Sequence, residues 1–211
     1  GTGVRQARYY LALACDFACN PEGVVRTAAE QLGSFPVFVK PCSQGSSVGV
    51  AKATNMTELA EGLTEAFKMD SKVLVEEFID GHEVECAVLG NERPQASTVG
   101  EIAPTQEFYT FDAKYKDESS RLYIPAHITP EQLETVRQDA LRVYTALGCR
   151  GLSRVDFFVT HDGGEVVFNE LNAIPGFTSI SMYPKLFDYE GIHYAELLDR
   201  LIALALEEHH G

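Results

Sequence analysis

The chain has 211 residues, and 17 Lys and Arg against 31 Asp and Glu give it a net charge of −14. Apolar side chains make up 45% and charged ones 23%, ordinary globular usage that excludes a disordered or collagen-like chain. The acidic balance excludes a general binder of nucleic-acid backbone, which needs a basic face, while leaving room for one anionic ligand held by a few local cations.

A chain this long can bury roughly 70% of its unfolded surface, in one large domain or two small ones. Cys15, Cys19, Cys42, Cys86 and Cys149 are an odd number without a CxxC pair. Neither a disulfide framework nor a zinc site is expected, and the thiols read as reduced, in a cytoplasmic protein. No apolar run reaches the roughly 18 residues of a membrane span. Residues 1–15 loosely imitate a signal peptide, with Arg5 and Arg8 before an apolar stretch, but Asp16 interrupts it. The missing initiator Met points instead to a trimmed chain.

Residues 4–13 are apolar enough to predict a buried helix. Asn20-Pro21-Glu22 then supplies a cap residue, a proline for the first turn and an early acid, and Gly33 closes the helix they open. Residues 35–41 predict a strand, 43–49 a Ser/Gly loop and 48–53 a returning strand. Leu59, Leu63, Ala66 and Phe67 recur at helical spacing across 57–67. Residues 72–79 and 83–89 predict strands around a turn at Asp80-Gly81, and Asn91-Glu92-Arg93-Pro94 turns the chain into a third, 95–102. Together these predict a β-α-β-β-like block in one small lobe.

Residues 104–121 are polar, dotted with aromatics and without period, the pattern of a functional lid or a disordered loop. Thr129-Pro130-Glu131-Gln132 is a capping-box start for a helix to Leu147, with Gly148 beyond its end. Strands 151–160 and 165–171 flank His161-Asp162-Gly163-Gly164, a strong hairpin signal, and helices over 181–187 and 194–206 complete the chain. The fold class is α+β, two lobes of mostly antiparallel sheet with flanking helices. The domains are an N-terminal helical segment 1–34, a small lobe 35–103 with the glycine-rich loop, and a C-terminal lobe 104–211 with a lid at 105–121.

Chemistry concentrates at three places. Arg154 and Asp156 are two apart on one strand and share a face, as do Glu170 and Asn172 on the next. A turn of three or five residues sets Asp156 opposite Glu170, and Gly163-Gly164 permits the three-residue form. Facing carboxylates repel and call for a cation or a shared proton, and Asp, Glu and Asn oxygens suit Mg²⁺. The alternative is an Arg154–Asp156 ion pair, with Glu170 and Asn172 merely ending a strand.

Second, Lys40 ends an apolar strand before a loop of small residues from Ser43 to Gly49, through which backbone N–H groups can approach an anion. No P-loop pattern occurs, and the alternative is a flexible hairpin turn. Third, Val73-Leu74-Val75-Glu76-Glu77-Phe78-Ile79 is an apolar strand ending in acids, followed by Glu83. Such an end either meets solvent or offers backbone groups to a base edge and a carboxylate to a ribose.

Taken in order, the segments VKPCSQGSSVGVAKA, VLVEEFIDGHEVECAVLG, FYTFDAKY, CRGLSRVDFF and VVFNELNAIPGFTSISMYP resemble the ATP-grasp ligases, specifically the D-alanine–D-alanine ligase family. The likeness runs from about Phe35 to the C-terminus, and ELNAIPGFTSIS and SRVDFF are its specific parts. It implies the ATP-grasp fold and ATP-dependent ligation of two D-alanines through an acyl phosphate, for peptidoglycan synthesis in the cytoplasm. By the same resemblance Lys40 contacts the ATP phosphates and base, and Ser46, Ser47 and neighbouring amides cover the triphosphate. Glu76, Glu77 and the Ile79 backbone meet the adenine edge, with Glu83 on the ribose hydroxyls. Lys114 reaches the γ-phosphate when the lid closes over a water-labile intermediate. Asp156, Glu170 and Asn172 match a site for two Mg²⁺ ions, with Mn²⁺ as the other candidate. Arg154 and the Gly176 amide steady the anionic intermediate, while Ser181 and the Met182 amide hold the second substrate's carboxylate.

The implied partners are D-alanine and ATP, with no nucleic acid and no membrane, and a homodimer for a full-length enzyme. Ala113-Lys114-Tyr115 is similar to ligases that take D-alanine second, against D-lactate or D-serine. The family's N-terminal domain has no counterpart here, and no lysine precedes Lys40 to match the family's other adenine-side lysine; Arg5 and Arg8 lie in that region. The expectation is a fragment that binds nucleotide and is inactive alone. The alternatives are another ATP-grasp carboxylate–amine ligase or, outside enzymes, a degenerate nucleotide-binding module.

Overall fold

The computed structural model describes residues 1–44, 48–103 and 121–210, with side chains to residue 208. These form two compact units, a smaller one within residues 7–79 and a larger one from residues 1–6, 80–103 and 121–210.

In the smaller unit, β1 (Tyr9–Leu13), β2 (Val37–Pro41), β3 (Ala51–Ala53) and β4 (Lys72–Glu77) form an antiparallel sheet in the order β1-β4-β2-β3. Helices α1 (Ala14–Cys19), α2 (Pro21–Leu32) and α3 (Met56–Ala66) accompany it. Alternation places Val37, Val39, Val73 and Val75 on one face, where they meet Val24, Val25, Ala28 and Leu32 of α2 and Leu59 and Leu63 of α3. Each fully buried Val or Leu among them contributes about 1.5–3 kcal/mol. The α2 ends are those expected: Asn20 accepts from the Gly23 N–H, Pro21 opens the first turn, and Gly33 closes it at φ +76°.

Three expectations are corrected here. Residues 9–13 form a strand and not part of a helix. A short apolar run does not reveal its period, and this one acquires hydrogen-bond partners along the distant β4, from Tyr9↔Glu76 to Leu13↔Lys72. The returning strand is shorter than 48–53, because Val48 and Gly49, with the latter at φ +74°, still belong to the turn. Finally, Asp80-Gly81 is not a hairpin turn: the strand that follows it pairs in the larger unit, so the expected 35–103 block is divided between two sheets.

In the larger unit, β5 (Gly81–Leu89), β6 (Gln95–Ala103), β7 (Arg121–Tyr123), β8 (Leu152–Thr160) and β9 (Val166–Asn172) form an antiparallel sheet in the order β7-β6-β5-β8-β9. Helix α4 (Pro130–Ala146) covers one face, over Val84, Cys86, Val88, Val155, Phe157 and Val159. Its N-terminus carries the full capping box between Thr129 and Gln132. Helices α5 (Met182–Tyr189) and α6 (Tyr194–His210) pack on the other face against Ala87 and Leu89. Gly100 on β6 is where α5 comes closest, since a Cβ there would lie 2.6 Å from Met182 Sδ and 3.0 Å from Leu186 Cδ2. Residues 104–120 of the expected lid, and 45–47 of the expected anion loop, lie outside the described residues.

The β8–β9 hairpin reaches its expected pairing by another route. Thr160 and Glu165 are bridged by the Thr160 N–H to Glu165 carbonyl bond, so four residues, not three, make the turn, with Gly163 and Gly164 at positive φ. A bulge then shifts the register between Asp156 and Phe157, so that Phe157 faces Phe168 while Asp156 faces Glu170. The extra residue, Asn169, restores the alignment that an even-numbered turn would have lost.

Candidate functional site

The two units each carry part of the expected residue set. On the sheet of the smaller unit, alternation sends Phe38 and Lys40 to the face away from Val37 and Val39. Register brings Phe38 opposite Glu76 on β4 and opposite Lys52 on β3. Lys40 Nζ lies 2.5 Å from Glu76 Oε2, with both side chains largely shielded from water. Phe78 packs on Phe38 with ring centroids 6.0 Å apart, and Lys52 Nζ sits 4.6 Å above the Phe78 ring. The result is a face of two cations, two aromatic rings and an acid.

Lys52 was not singled out from the sequence. The signal was present, because a strand opposite Lys40's own strand returns a lysine to the same face once the register is known. Glu77 is held differently: its carboxylate accepts from the Arg8 N–H (2.9 Å) and from Arg8 Nε (2.6 Å). Arg8 is therefore tied to Glu77, and Arg5 forms an ion pair with Glu165 in the larger unit. Ile79 ends the smaller unit, half-buried. Glu83 lies on β5, so the structure does not put it on one ribbon with residues 76–79.

In the larger unit, Glu83, Glu85 and Ala87 of β5 share a face with Phe158, Asp156 and Arg154 of β8, their register partners. β9 adds Glu170 opposite Asp156 and Asn172 opposite Arg154. The Arg154 guanidinium donates from Nε and Nη2 to the two oxygens of Asp156, each at 2.8 Å, and its Nε lies 3.2 Å from Glu85 Oε1. Burial alone would lower the Arg154 pKa, but the hydrogen bonds to Asp156 and the charges of Asp156, Glu85 and Glu170 outweigh it and raise it further above the ordinary range. Arg154 is therefore a permanent cation. Asn172 Nδ2 donates to Asp156 Oδ2 (3.0 Å) and approaches Glu170 Oε1 (3.4 Å).

The Arg154–Asp156 ion pair weighed as the alternative is thus present, and the facing of Asp156 and Glu170 is present with it. Glu85 was missed by the sequence reading, although its spacing of two from Glu83 marks it for the same face. Among the described residues, no group of three or more His, Cys, Asp and Glu side chains is arranged to hold a metal ion. The expected ligands are two carboxylates and a carboxamide, hard oxygen donors of the kind Mg²⁺ takes. Turning the Asn172 amide over would present its oxygen where Nδ2 now lies. The chemistry of this donor set fits a divalent ion.

Beyond β9 the chain forms an exposed loop to α5. Gly176 is close-packed on Ser181, since a Cβ on it would come 2.9 Å from Ser181 Oγ. That Oγ accepts from the Thr178 N–H (3.0 Å), and the Ser181 N–H donates to the Thr178 carbonyl (3.0 Å). Met182 is the first residue of α5, where the backbone N–H has no intrahelical acceptor. Gly176, Ser181 and Met182 thus come together, while Ser46, Ser47 and Lys114 lie outside the described residues. The described cysteines are all free thiols, and burial pushes the Cys86 thiol up to about 12. No described helix is long and apolar enough to cross a membrane.

The family described as D-ala D-ala ligase C-terminus matches residues 1–203, and the chain belongs to it. Among curated relatives, the D-alanine--D-alanine ligase of Acetivibrio thermocellus is 51% identical over 98% of this chain and 55% of its own length. That of Clostridium novyi is 49% identical over 97% of this chain and 60% of its own length. Among solved structures, the D-alanine-D-alanine ligase from Coxiella burnetii superposes with a TM-score of 0.82 at 35% identity, covering 99% of this chain and 54% of that one. The VanG D-Ala:D-Ser ligase from Enterococcus faecalis gives 0.84 at 40% identity, covering 96% and 57%. The fold is therefore that of the ATP-grasp ligases, and the chain spans a little over half the length of these relatives.

Proposed function

We propose that this chain is the nucleotide- and metal-binding part of a ligase that uses ATP to join two D-alanine molecules through an acyl phosphate. The observation that carries the reading is the register of β8 against β9, with Asp156 opposite Glu170 and Arg154 opposite Asn172 on one face. The names of the relatives support the substrate. Two Mg²⁺ ions, or Mn²⁺ in their place, held by Asp156, Glu170 and the Asn172 amide oxygen, would neutralise the charge of the ATP phosphates.

The chain's own residues do the rest. A carboxylate is a poor electrophile until phosphorylated, and phosphoryl transfer is mainly positioning and charge neutralisation. Arg154, oriented by Asp156, faces the charge that develops there and on the oxyanion formed when the second amine attacks, assisted by the Gly176 amide. Lys40, oriented by Glu76, is the cation for nucleotide phosphates in the smaller unit. Glu76, Glu77 and the Ile79 backbone meet the adenine, and Glu83 the ribose. Ser46 and Ser47 keep their role over the triphosphate and Lys114 at the γ-phosphate. Ser181 and the Met182 N–H take the carboxylate of the second D-alanine. The reading carries with it a cytoplasmic setting and a homodimer for the complete ligase.

Titration calorimetry of this chain with Mg²⁺ and ATP or ADP is expected to give saturable heat. Glu170→Gln should abolish it with thermal unfolding unchanged, Asp156→Asn should abolish it while the chain still folds, and folded protein that gives no heat sinks the reading. The second substrate is read separately, from phosphate released by a complete ligase containing this region. D-Alanine should support the fastest release; faster release with D-serine would reassign it to the specificity named for the VanG relative.

A further inference from the structure

We infer that a cleft between the β5–β6 turn and α6 is a binding site for a small zwitterion with an apolar body, an α-amino acid of about leucine's size. The cleft has a volume of about 400 Å³, within the range of small-molecule sites, and lies wholly in the larger unit. Its floor is apolar: Leu89 at the end of β5 is buried, and Leu204 of α6 packs against the same core. Its walls are tied together. Asn91, buried in the turn, donates from Nδ2 to the Leu204 carbonyl (3.0 Å) and to Glu207 Oε2 (2.8 Å), and its Oδ1 accepts from the Gly151 N–H (3.1 Å). The Tyr144 hydroxyl donates to the Gly90 carbonyl at 2.7 Å. A cleft held in shape by its own hydrogen bonds has little ordering left to undergo when a ligand enters.

Charge selects the ligand. Arg93 lines the cleft from the turn and Arg200 from α6. Among the described residues Arg93 has no ion-pair or hydrogen-bond partner, in a chain of net charge −14 that offers acids freely. Arg200 donates from Nε and Nη2 to Glu196 Oε1 (3.1 and 2.6 Å), and its Nη1 makes no hydrogen bond among the described residues. A guanidinium fork matches the geometry of a carboxylate. Glu207 lines the same cleft, oriented by Asn91 through Oε2, and its Oε1 makes no hydrogen bond among the described residues. That carboxylate repels a phosphate or a dicarboxylate and suits an ammonium. A carboxylate for the two arginines, an ammonium for Glu207 and an aliphatic side chain for Leu89, Ala203 and Leu204 together describe an apolar amino acid. Leu89 stands six residues along β5 from Glu83, about 20 Å of extended strand. The cleft is thus separate from the face proposed to bind nucleotide, and the inference does not rest on the function proposed above.

The test follows the backbone amide resonances of the isotopically labelled chain during titration with L-leucine. Saturable shifts are expected at residues 89–95 and 200–207. Isocaproate, which lacks the ammonium, and isoamylamine, which lacks the carboxylate, should each bind about tenfold more weakly, the loss expected for one charge-assisted hydrogen bond. Glycine, without an apolar body, should not saturate. Arg93→Gln should weaken leucine about tenfold while leaving isoamylamine unchanged. Glu207→Gln should remove the preference for leucine over isocaproate, a selective change that a loosened fold would not produce. Ala203→Trp, at an exposed position of α6, should fill the cleft and abolish binding with thermal unfolding unchanged. No saturable shift up to the solubility limit, shifts confined to other residues, or leucine binding indifferent to Arg93→Gln overturns the inference. Inorganic phosphate bound as tightly as leucine would make the cleft a general anion site and overturn it equally. Leucine shifts that persist with Mg²⁺–ATP present support a separate site, whereas displacement by the nucleotide would place leucine on the nucleotide face and overturn the inference.

Discussion

Glu101 on β6 is buried between two imidazoles. His82 Nδ1 lies 2.7 Å from its Oε1, while the His127 N–H and Nδ1 both lie 2.9 Å from its Oε2. Burial by itself would raise its pKa, but the hydrogen bonds from the His127 N–H and the two rings, with the charge of His82, outweigh it and hold the carboxyl below 4.5. A carboxyl depressed in the folded state stabilises fully above its unfolded pKa, and that contribution is lost as pH falls through the folded value. The melting temperature should therefore drop as pH is lowered from about 4.5, and Glu101→Gln should flatten that acid limb while lowering stability at neutral pH. An unchanged acid limb would remove Glu101 from this role. At Asp156 the same reasoning concerns shape: deleting one partner of a buried pair leaves the other uncompensated, at about 3–5 kcal/mol. Asp156→Ala should lose about that much in urea unfolding, whereas Asp156→Asn keeps hydrogen-bonding atoms beside Arg154.

Among the elements, α5 depends on a glycine in a strand it does not touch in sequence. Gly100 leaves the space that Met182 and Leu186 fill, and an added methyl would meet both. Overpacking of this kind costs about 1–3 kcal/mol. Gly100→Ala should lower the urea midpoint accordingly and, under the proposed function, weaken second-substrate affinity, because α5 carries the Met182 N–H proposed to bind it. A variant as stable as the parent would show that α5 can shift without loss. Capping chemistry was legible here: Asn20, Gly33, Thr129 and Gln132 occupy the positions their side chains and backbone preferences announce. The strand at 9–13 was not, because its hydrogen bonds are made with β4, and nothing local distinguishes such a run from a helix.

For the molecule as a whole, a ligand that binds only the folded state stabilises it by mass action, about 2.7 kcal/mol at a hundredfold excess over its dissociation constant. Raising Mg²⁺–ATP should thus raise the melting temperature progressively, EDTA should cancel the effect, and Glu170→Gln should abolish it without moving the ligand-free melting temperature. A shift that survives EDTA would mean that nucleotide binds without the proposed ions.

The family was readable from residue order. Arg154, Asp156, Glu170 and Asn172 declare their shared face by spacing, because side chains alternate along any strand. The Ser181 and Met182 pair likewise announces the start of a helix. Which strands lie together was decided only in three dimensions. The Asn169 bulge that sets Asp156 opposite Glu170, the separation of β4 from β5, and the places of Glu85 and Lys52 all depend on pairings between distant segments. A chain encodes periodicity locally, whereas register is settled by the sum of hydrogen bonds and buried area across the sheet.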